Sequence, residues 1–191
     1  FASIYGEWAT TSEAKNTHRT FHESLRLPWP KQPVKVTVYK REATTRFAPV
    51  WSTDIDPGSR FVNRAPIQQP AGRVVPIIEG GSPAEKVDLL IISDGYTAAE
   101  MSKFQGDAKR LLDALFAQEA FRCRRGDFNV RALELPSPVS GVNRPNAGVF
   151  RRTPLGTQYN IFDSERYMLT LENRALRDAA SAAPYEFIEI L

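Results

Sequence analysis

Residues 87–100 decide the fold, and they read Val87-Asp88-Leu89-Leu90-Ile91-Ile92-Ser93-Asp94-Gly95-Tyr96-Thr97-Ala98-Ala99-Glu100. A nearly continuous apolar run between polar flanks is typical of a strand covered on both faces, as in parallel sheets with helices on each side. Thr97 with Glu100 three positions later has the pattern of a capping box, in which the two side chains satisfy backbone N–H groups of the first helical turn. A buried strand that ends on Asp-Gly before a capped helix indicates an α/β protein, and usually an enzyme.

Three strands and two helices are predicted from this point to the last residue. Apolar residues at spacings of three and four predict a helix from Ala98 to about Arg122, with one face on the sheet. The patterns that follow predict a strand at 128–135, a helix at about 165–182 and a strand at 185–191. Because strand-helix-strand crossovers are almost always right-handed and parallel, this β-α-β-α-β order predicts a largely parallel sheet with both helices packed on it.

The first third of the chain has a different residue pattern. Val34, Val36 and Val38 alternate with polar or amphipathic residues, which predicts a half-buried strand, and we interpret 1–64 as part of a β-rich, sandwich-like domain. Residues 65–84 are rich in Pro, Gln and Gly and are interpreted as a linker, so the second domain covers 85–191. Since the sequence stops within a predicted strand, we expect it to be a fragment.

Candidate site residues follow the central strand and lie in the long connection 136–162. Asp94 stands at the carboxyl end of the strand, where open α/β sheets place ligand-binding groups, and Tyr96 follows it. Two interpretations stay open for the turn: a direct role of Asp94 in chemistry, or a role in shaping the backbone around Gly95. The connection exceeds the usual loop length and is rich in Pro and Gly, which predicts a functional loop, and its Arg151 and Arg152 are candidates for the rim of a substrate cleft.

Composition argues against several other functions. The net charge of +3 is not clustered in the sequence, so we predict no nucleic-acid partner, and no apolar run approaches the roughly 20 residues of a membrane span. A single cysteine rules out a thiolate zinc cluster built from this chain alone. The two histidines, His18 and His22, are spaced as in a helical zinc motif, but Arg19 stands where that motif requires a glutamate.

Two groups of sequence blocks resemble a known family. The first comprises Tyr5 to Ala14 and Thr20 to Pro28, and the second comprises Val87 to Glu100, Phe128 to Val130, Ser137 to Val142 and Ala183 to Glu186. Together they resemble the IgA peptidase family of zinc metallopeptidases, metallopeptidase family 64, at the end of its N-terminal domain and the first half of its peptidase domain. The resemblance implies hydrolysis of peptide bonds, in which zinc polarises the scissile carbonyl and activates a water molecule.

The resemblance also implies where the reacting groups are. In that family the His-Glu-x-x-His helix follows the strand that begins here at Tyr185, and this chain has no histidine after His22. We therefore expect no catalytic residue or metal ligand in this chain, and expect zinc to be held by the remaining C-terminal part of the same protein, past Leu191. The implied partner is a protein or peptide substrate, and the implied location is secreted or periplasmic.

Two other interpretations stay open. The chain could be a non-catalytic α/β binding or structural module on the same scaffold, or a small α/β hydrolase centred on Asp94 and the long loop. The residues that follow the last strand would distinguish the peptidase from the module.

Overall fold

The computed structural model describes residues 6, 8–21, 27–42, 45–65 and 72–191. The chain divides into two compact units. One unit combines Phe1–Ser24 with Ile67–Leu191, and the other is Leu25–Pro66.

The larger unit is built on a four-stranded sheet of mixed direction. Its strands are β3 (Arg73–Ile78), β4 (Val87–Ile92), β5 (Phe128–Glu134) and β8 (Phe187–Ile190), in the order β3-β5-β4-β8. Strand β4 lies parallel to both β5 and β8, whereas β3 lies antiparallel to β5. The predicted α/β class and the three parallel strands are confirmed, and β3 is a strand that the sequence analysis did not predict.

Helices cover both faces of this sheet. Helix α1 (Met101–Ala117) follows a short 3₁₀ turn at Ala98–Glu100, a second short helix α2 spans Glu119–Arg122, and α3 spans Asn173–Ala180. Ile91 of β4 packs with Phe104, Ala108 and Leu112 of α1 on one face. Leu90 and Ile92 pack with Ala179 and Ala180 of α3 on the other face. Since both faces are buried, nearly every position of β4 has to be apolar.

The second long helix is shorter than predicted. Residues 165–172 are not helical, because Met168–Leu169 instead forms strand β7, antiparallel to β6 (Gln158–Tyr159). The Thr170 hydroxyl donates to the Leu155 carbonyl and accepts the backbone N–H of Glu172, which ties this segment to the long loop. Tertiary pairing outweighed the helical spacing of Met168 and Leu171, and the helix begins only at Asn173.

The smaller unit contains one antiparallel hairpin within its described residues. Strand β1 (Val34–Arg41) pairs with β2 (Phe47–Ile55), and the register shifts between Val38 and Tyr39. The β-rich composition of this region is thus reflected in the structure, whereas the sandwich stays a prediction. The division into 1–64, 65–84 and 85–191 also stays a prediction, and β3 lies inside the range interpreted as linker.

Candidate functional site

A cleft of about 360 Å³ opens at the carboxyl edge of the parallel strands. Asp94, Gly95 and Tyr96 enter it from the end of β4, and Ile190 and Leu191 from the end of β8. The remaining lining residues are Glu100, Lys103, Ser140, Gly141, Val142, Tyr159 and Met168. The long loop predicted to be functional therefore supplies one wall of the cleft.

Asp94 fastens the long loop to the end of the central strand. Its side chain is only 3% exposed, and its Oδ2 accepts hydrogen bonds from the hydroxyl of Thr153 at 2.7 Å and the backbone N–H of Thr157 at 3.1 Å. The Thr157 hydroxyl donates to the same oxygen, and the Leu155 N–H donates to Oδ1 at 3.1 Å. Four donors from one loop satisfy a carboxylate that would be costly to bury unpaired. This geometry fits a loop anchor better than a reacting group.

Gly95 makes the turn between strand and helix possible. Its φ of +81° lies in the region that favours glycine, and a Cβ atom would lie 2.8 Å from Cγ1 of Val142 and 2.9 Å from the carbonyl carbon of Gly141. The Gly95 N–H donates to the Ser137 hydroxyl, and the Gly95 carbonyl accepts the N–H of Gly141 at 2.7 Å. The turn and the long loop are therefore in direct backbone contact.

Tyr96 is fixed by a charged cluster on α1. Its hydroxyl donates to Oδ2 of Asp107 at 2.9 Å, and Asp107 also accepts from Lys103 and Arg110. Burial, followed by the hydrogen bond to the carboxylate, raises the pKa of Tyr96 to about 12. The hydrogen bonds from Lys103 and Tyr96 lower the pKa of Asp107 to about 2. Near neutral pH the phenol is thus neutral and committed as a donor to Asp107.

The helix cap lies at one side of the cleft, since Glu100 is one of the lining residues. The Glu100 carboxylate accepts the backbone N–H of Thr97 at 2.9 Å, which confirms the predicted capping box, and it also accepts the Ser140 hydroxyl at 2.9 Å. These hydrogen bonds, with the Thr97 N–H first among them, lower the pKa of Glu100. A single glutamate thus caps α1 and binds the long loop.

The four predicted site residues are only partly brought together. Asp94 and Tyr96 line the cleft, whereas Arg151 and Arg152 are exposed on the loop and are not among its lining residues. The backbone N–H of Arg151 donates to the side chain of Asn143, which fixes the loop backbone and leaves the guanidinium outside this contact. A role of this arginine pair toward substrate stays a prediction.

Sequence reasoning missed the partners of these residues. Thr153, Thr157 and Ser137 have no local sequence signal, since their bonds span 42 to 63 positions. Asp107 could have been noticed from the i,i+4 pair with Lys103 and the i,i+3 pair with Arg110, but such pairs are common on exposed helices.

No cluster of three His, Cys, Asp or Glu side chains that could hold a metal ion occurs in the described ranges. His18 is exposed, and His22 lies outside the described residues. The carboxylates around the cleft are also unsuited to bind zinc. Those of Asp94, Glu100 and Asp107 already accept hydrogen bonds from other side chains of this chain. The described residues therefore do not fit a zinc site. Within these ranges, no helix has both the length and the hydrophobicity of a membrane span.

The sheet and its edge cleft define an α/β protein in which the ends of parallel strands and a long loop form a ligand-accessible surface. Comparison with family models extends this: the model described as IgA Peptidase M64 matches residues 75–191, and the model described as Peptidase M64 N-terminus matches residues 1–52. The chain therefore belongs to the IgA peptidase M64 family. A search of curated proteins finds no match. The peptidase match begins within β3, so residues 75–78 of the unpredicted strand lie in the family's peptidase region.

Proposed function

We propose that this chain forms part of a zinc-dependent metallopeptidase that hydrolyses peptide bonds in proteins. The observation that carries the proposal is the family match over more than half of the chain, which makes it a member of a peptidase family. The sheet, the anchored loop and the cleft form the part of the enzyme that this chain supplies. The zinc ligands and the general base would belong to the remaining C-terminal part of the same protein, since the residues described here do not fit a metal.

Within this proposal the chain's residues position the substrate and do not react with it. Asp94 holds the loop, and Tyr96, Val142 and Tyr159 give the cleft an apolar and aromatic lining suited to a peptide side chain. Lys103 and Glu100 lie at the same surface and would contact polar groups of the peptide. The long loop would border the bound substrate, and the exposed Arg151 and Arg152 would extend that border.

The test uses the complete product of the gene that encodes this chain. Its zinc content is measured by elemental mass spectrometry, and its hydrolysis of casein is followed before and after treatment with a chelator and after zinc is restored. We expect one zinc per molecule and hydrolysis that chelation abolishes and zinc restores. The 191-residue chain alone serves as the control and should bind no zinc and cleave nothing.

Two results would contradict the proposal. A complete product that hydrolyses casein without zinc would place the reaction elsewhere, with the small hydrolase centred on Asp94 as the first candidate. A complete product with neither zinc nor hydrolytic activity would favour the non-catalytic binding or structural module.

The cellular location of the protein is also proposed from its membership of a peptidase family. A peptidase that acts on external proteins requires export, so we propose that the protein is secreted or periplasmic. Detection of the mature protein in culture medium or in a periplasmic extract tests this part separately.

A further inference from the structure

A segment before the hairpin packs on the outer side of the cleft wall. We call residues 8–21 the N-terminal strap. Trp8 is 6% exposed, and its ring centroid lies 5.4 Å from that of Phe21. The ring of Phe21 in turn lies 5.9 Å from that of Phe162 in the long loop, at an interplanar angle of 88°. This edge-to-face geometry is a favourable arrangement of aromatic rings. The strap is also held internally, since the Trp8 indole N–H donates to Glu13.

Phe162 has a backbone conformation that a bulky residue rarely adopts. Its φ is 58° and its ψ is 30°, in the left-handed region, and Asp163 next to it and Asn160 two residues before it also have positive φ. Asn and Asp tolerate this region, but an aromatic residue there is an outlier. Such conformations persist where surrounding contacts determine them, and the ring of Phe21 is such a contact.

The strained segment adjoins the cleft directly. Tyr159, three residues before Phe162, lines the cleft, and its strand β6 pairs with β7, which contributes Met168. Gln158, the neighbour of Tyr159, lines a separate groove of about 730 Å³ together with strap residues such as Ser12 and Asn16. Because alternate side chains of a strand point to opposite faces, β6 has the cleft on one side and the strap on the other.

We propose that the N-terminal strap, through the contact of Phe21 with Phe162, positions the β6–β7 wall so that Tyr159 and Met168 shape the substrate cleft. Phe21 and Phe162 are then positioning residues, and the inference rests on the proposed peptidase function. The strap and the cleft belong to the same compact unit, although the N-terminus family model covers residues 1–52. The boundary between the N-terminal part and the peptidase part of the protein would accordingly fall after the strap.

The first test measures hydrogen exchange in the complete gene product, which requires no activity. Phe21→Ala and Phe162→Ala should each speed exchange at the amides of 158–163 by roughly tenfold, because loss of an aromatic pair favours local opening. Phe61→Ala is the matched control, since Phe61 is 84% exposed in the other unit, and should leave this segment unchanged. The double variant should show less than the product of the two single effects.

Phe162→Gly separates the ring contact from backbone strain. Glycine adopts the left-handed conformation freely, so this variant removes the strain as well as the ring. Faster exchange in Phe162→Gly as well as in Phe162→Ala supports the contact as the determinant. Exchange equal to that of the unaltered protein in all of these variants overturns the inference.

The second test measures hydrolysis kinetics. A wall displaced from the cleft should raise KM several-fold with kcat nearly unchanged, and Phe21→Leu, which keeps an apolar group, should restore most of the affinity. Faster exchange without any change in KM contradicts a positioning role. If the unaltered protein hydrolyses nothing, the proposed function fails, whereas the exchange result still decides whether the strap holds the wall. If Phe21→Ala does not fold, Phe162→Ala, which removes the other ring of the same pair, takes its place in both measurements.

Discussion

Replacing Asp94 by asparagine tests the anchor that joins β4 to the long loop. The substitution keeps the shape of the side chain but replaces one acceptor oxygen by an N–H₂ group. Among the described residues, Oδ2 accepts three donors and Oδ1 accepts only the N–H of Leu155, so the carboxamide should place its oxygen at the Oδ2 position. Its N–H₂ group then faces the N–H of Leu155, and two donors are left opposite each other.

The expected loss of stability can be estimated from these contacts. An unpaired buried amide costs about 1–3 kcal/mol, and each of the three remaining hydrogen bonds loses about 1 kcal/mol when the charge is removed. The neutral side chain is less costly to bury, which offsets part of this loss. We therefore expect Asp94→Asn to lower the free energy of unfolding by about 2–4 kcal/mol.

Urea denaturation of the chain measures this change, and hydrogen exchange at Leu155 and Thr157 shows whether the loop is released locally. Asp113→Asn is the matched control, because Asp113 is 56% exposed and forms one surface ion pair with Lys109. It should change the stability by less than about 0.5 kcal/mol. A loss as small as this in Asp94→Asn, with unchanged exchange at the loop, would refute the anchor.

Three further results are expected. Gly95→Ala should destabilise the chain by more than about 2 kcal/mol, because the backbone has a φ of +81° and the added methyl group would clash with Val142. Gly106→Ala lies within α1, where no atom is near the added methyl group, and should stabilise the chain by up to about 1 kcal/mol. Urea denaturation compares the two variants. Since the pKa of Tyr96 is raised from 10.0 to about 12, the stability that its neutral phenol contributes is present below pH 10 and lost as the pH rises through about 12. Tyr96→Phe should remove that loss, together with the tyrosinate absorbance that develops near pH 12 in an alkaline titration. Since the pKa of Asp107 is lowered from 3.8 to about 2, the stability that its carboxylate contributes is present above about pH 4 and lost as the pH falls toward 2. In Asp107→Asn the free energy of unfolding should depend less on pH in that window. An unchanged pH dependence of stability would contradict this role of Asp107.

Local patterns predicted the centre of the fold well. The apolar run of β4, the helix that follows it and the capping box of Thr97 and Glu100 all depend on neighbouring residues, and all are confirmed. Strand β5 was predicted within one residue of its end, at Glu134. Strands β4 and β5 are largely buried, and α1 has one buried face, so their apolar patterns are strong.

The errors lie where distant contacts decide the conformation. Residues 165–172 have helical spacing, yet Met168 and Leu169 pair with β6 across the loop. Pro76 lies within β3 and favoured a linker, although proline is compatible with a strand at the edge of a sheet, which is the position of β3. For the site, the position of Asp94 at the strand end was predictable, but its four donors come from residues about 60 positions away.

Strand β8 lies at the edge of the sheet opposite β3, and this position affects how the chain behaves in concentrated solution. In the described structure β8 pairs only with β4, so one row of its peptide groups faces outward, and Phe187, the first residue of β8, is 61% exposed. Unpaired edge strands of this kind pair with further extended segments through main-chain hydrogen bonds, largely independently of their sequence. An extended segment of the same molecule or of another one can therefore add to the sheet at β8, so the two compete for this edge.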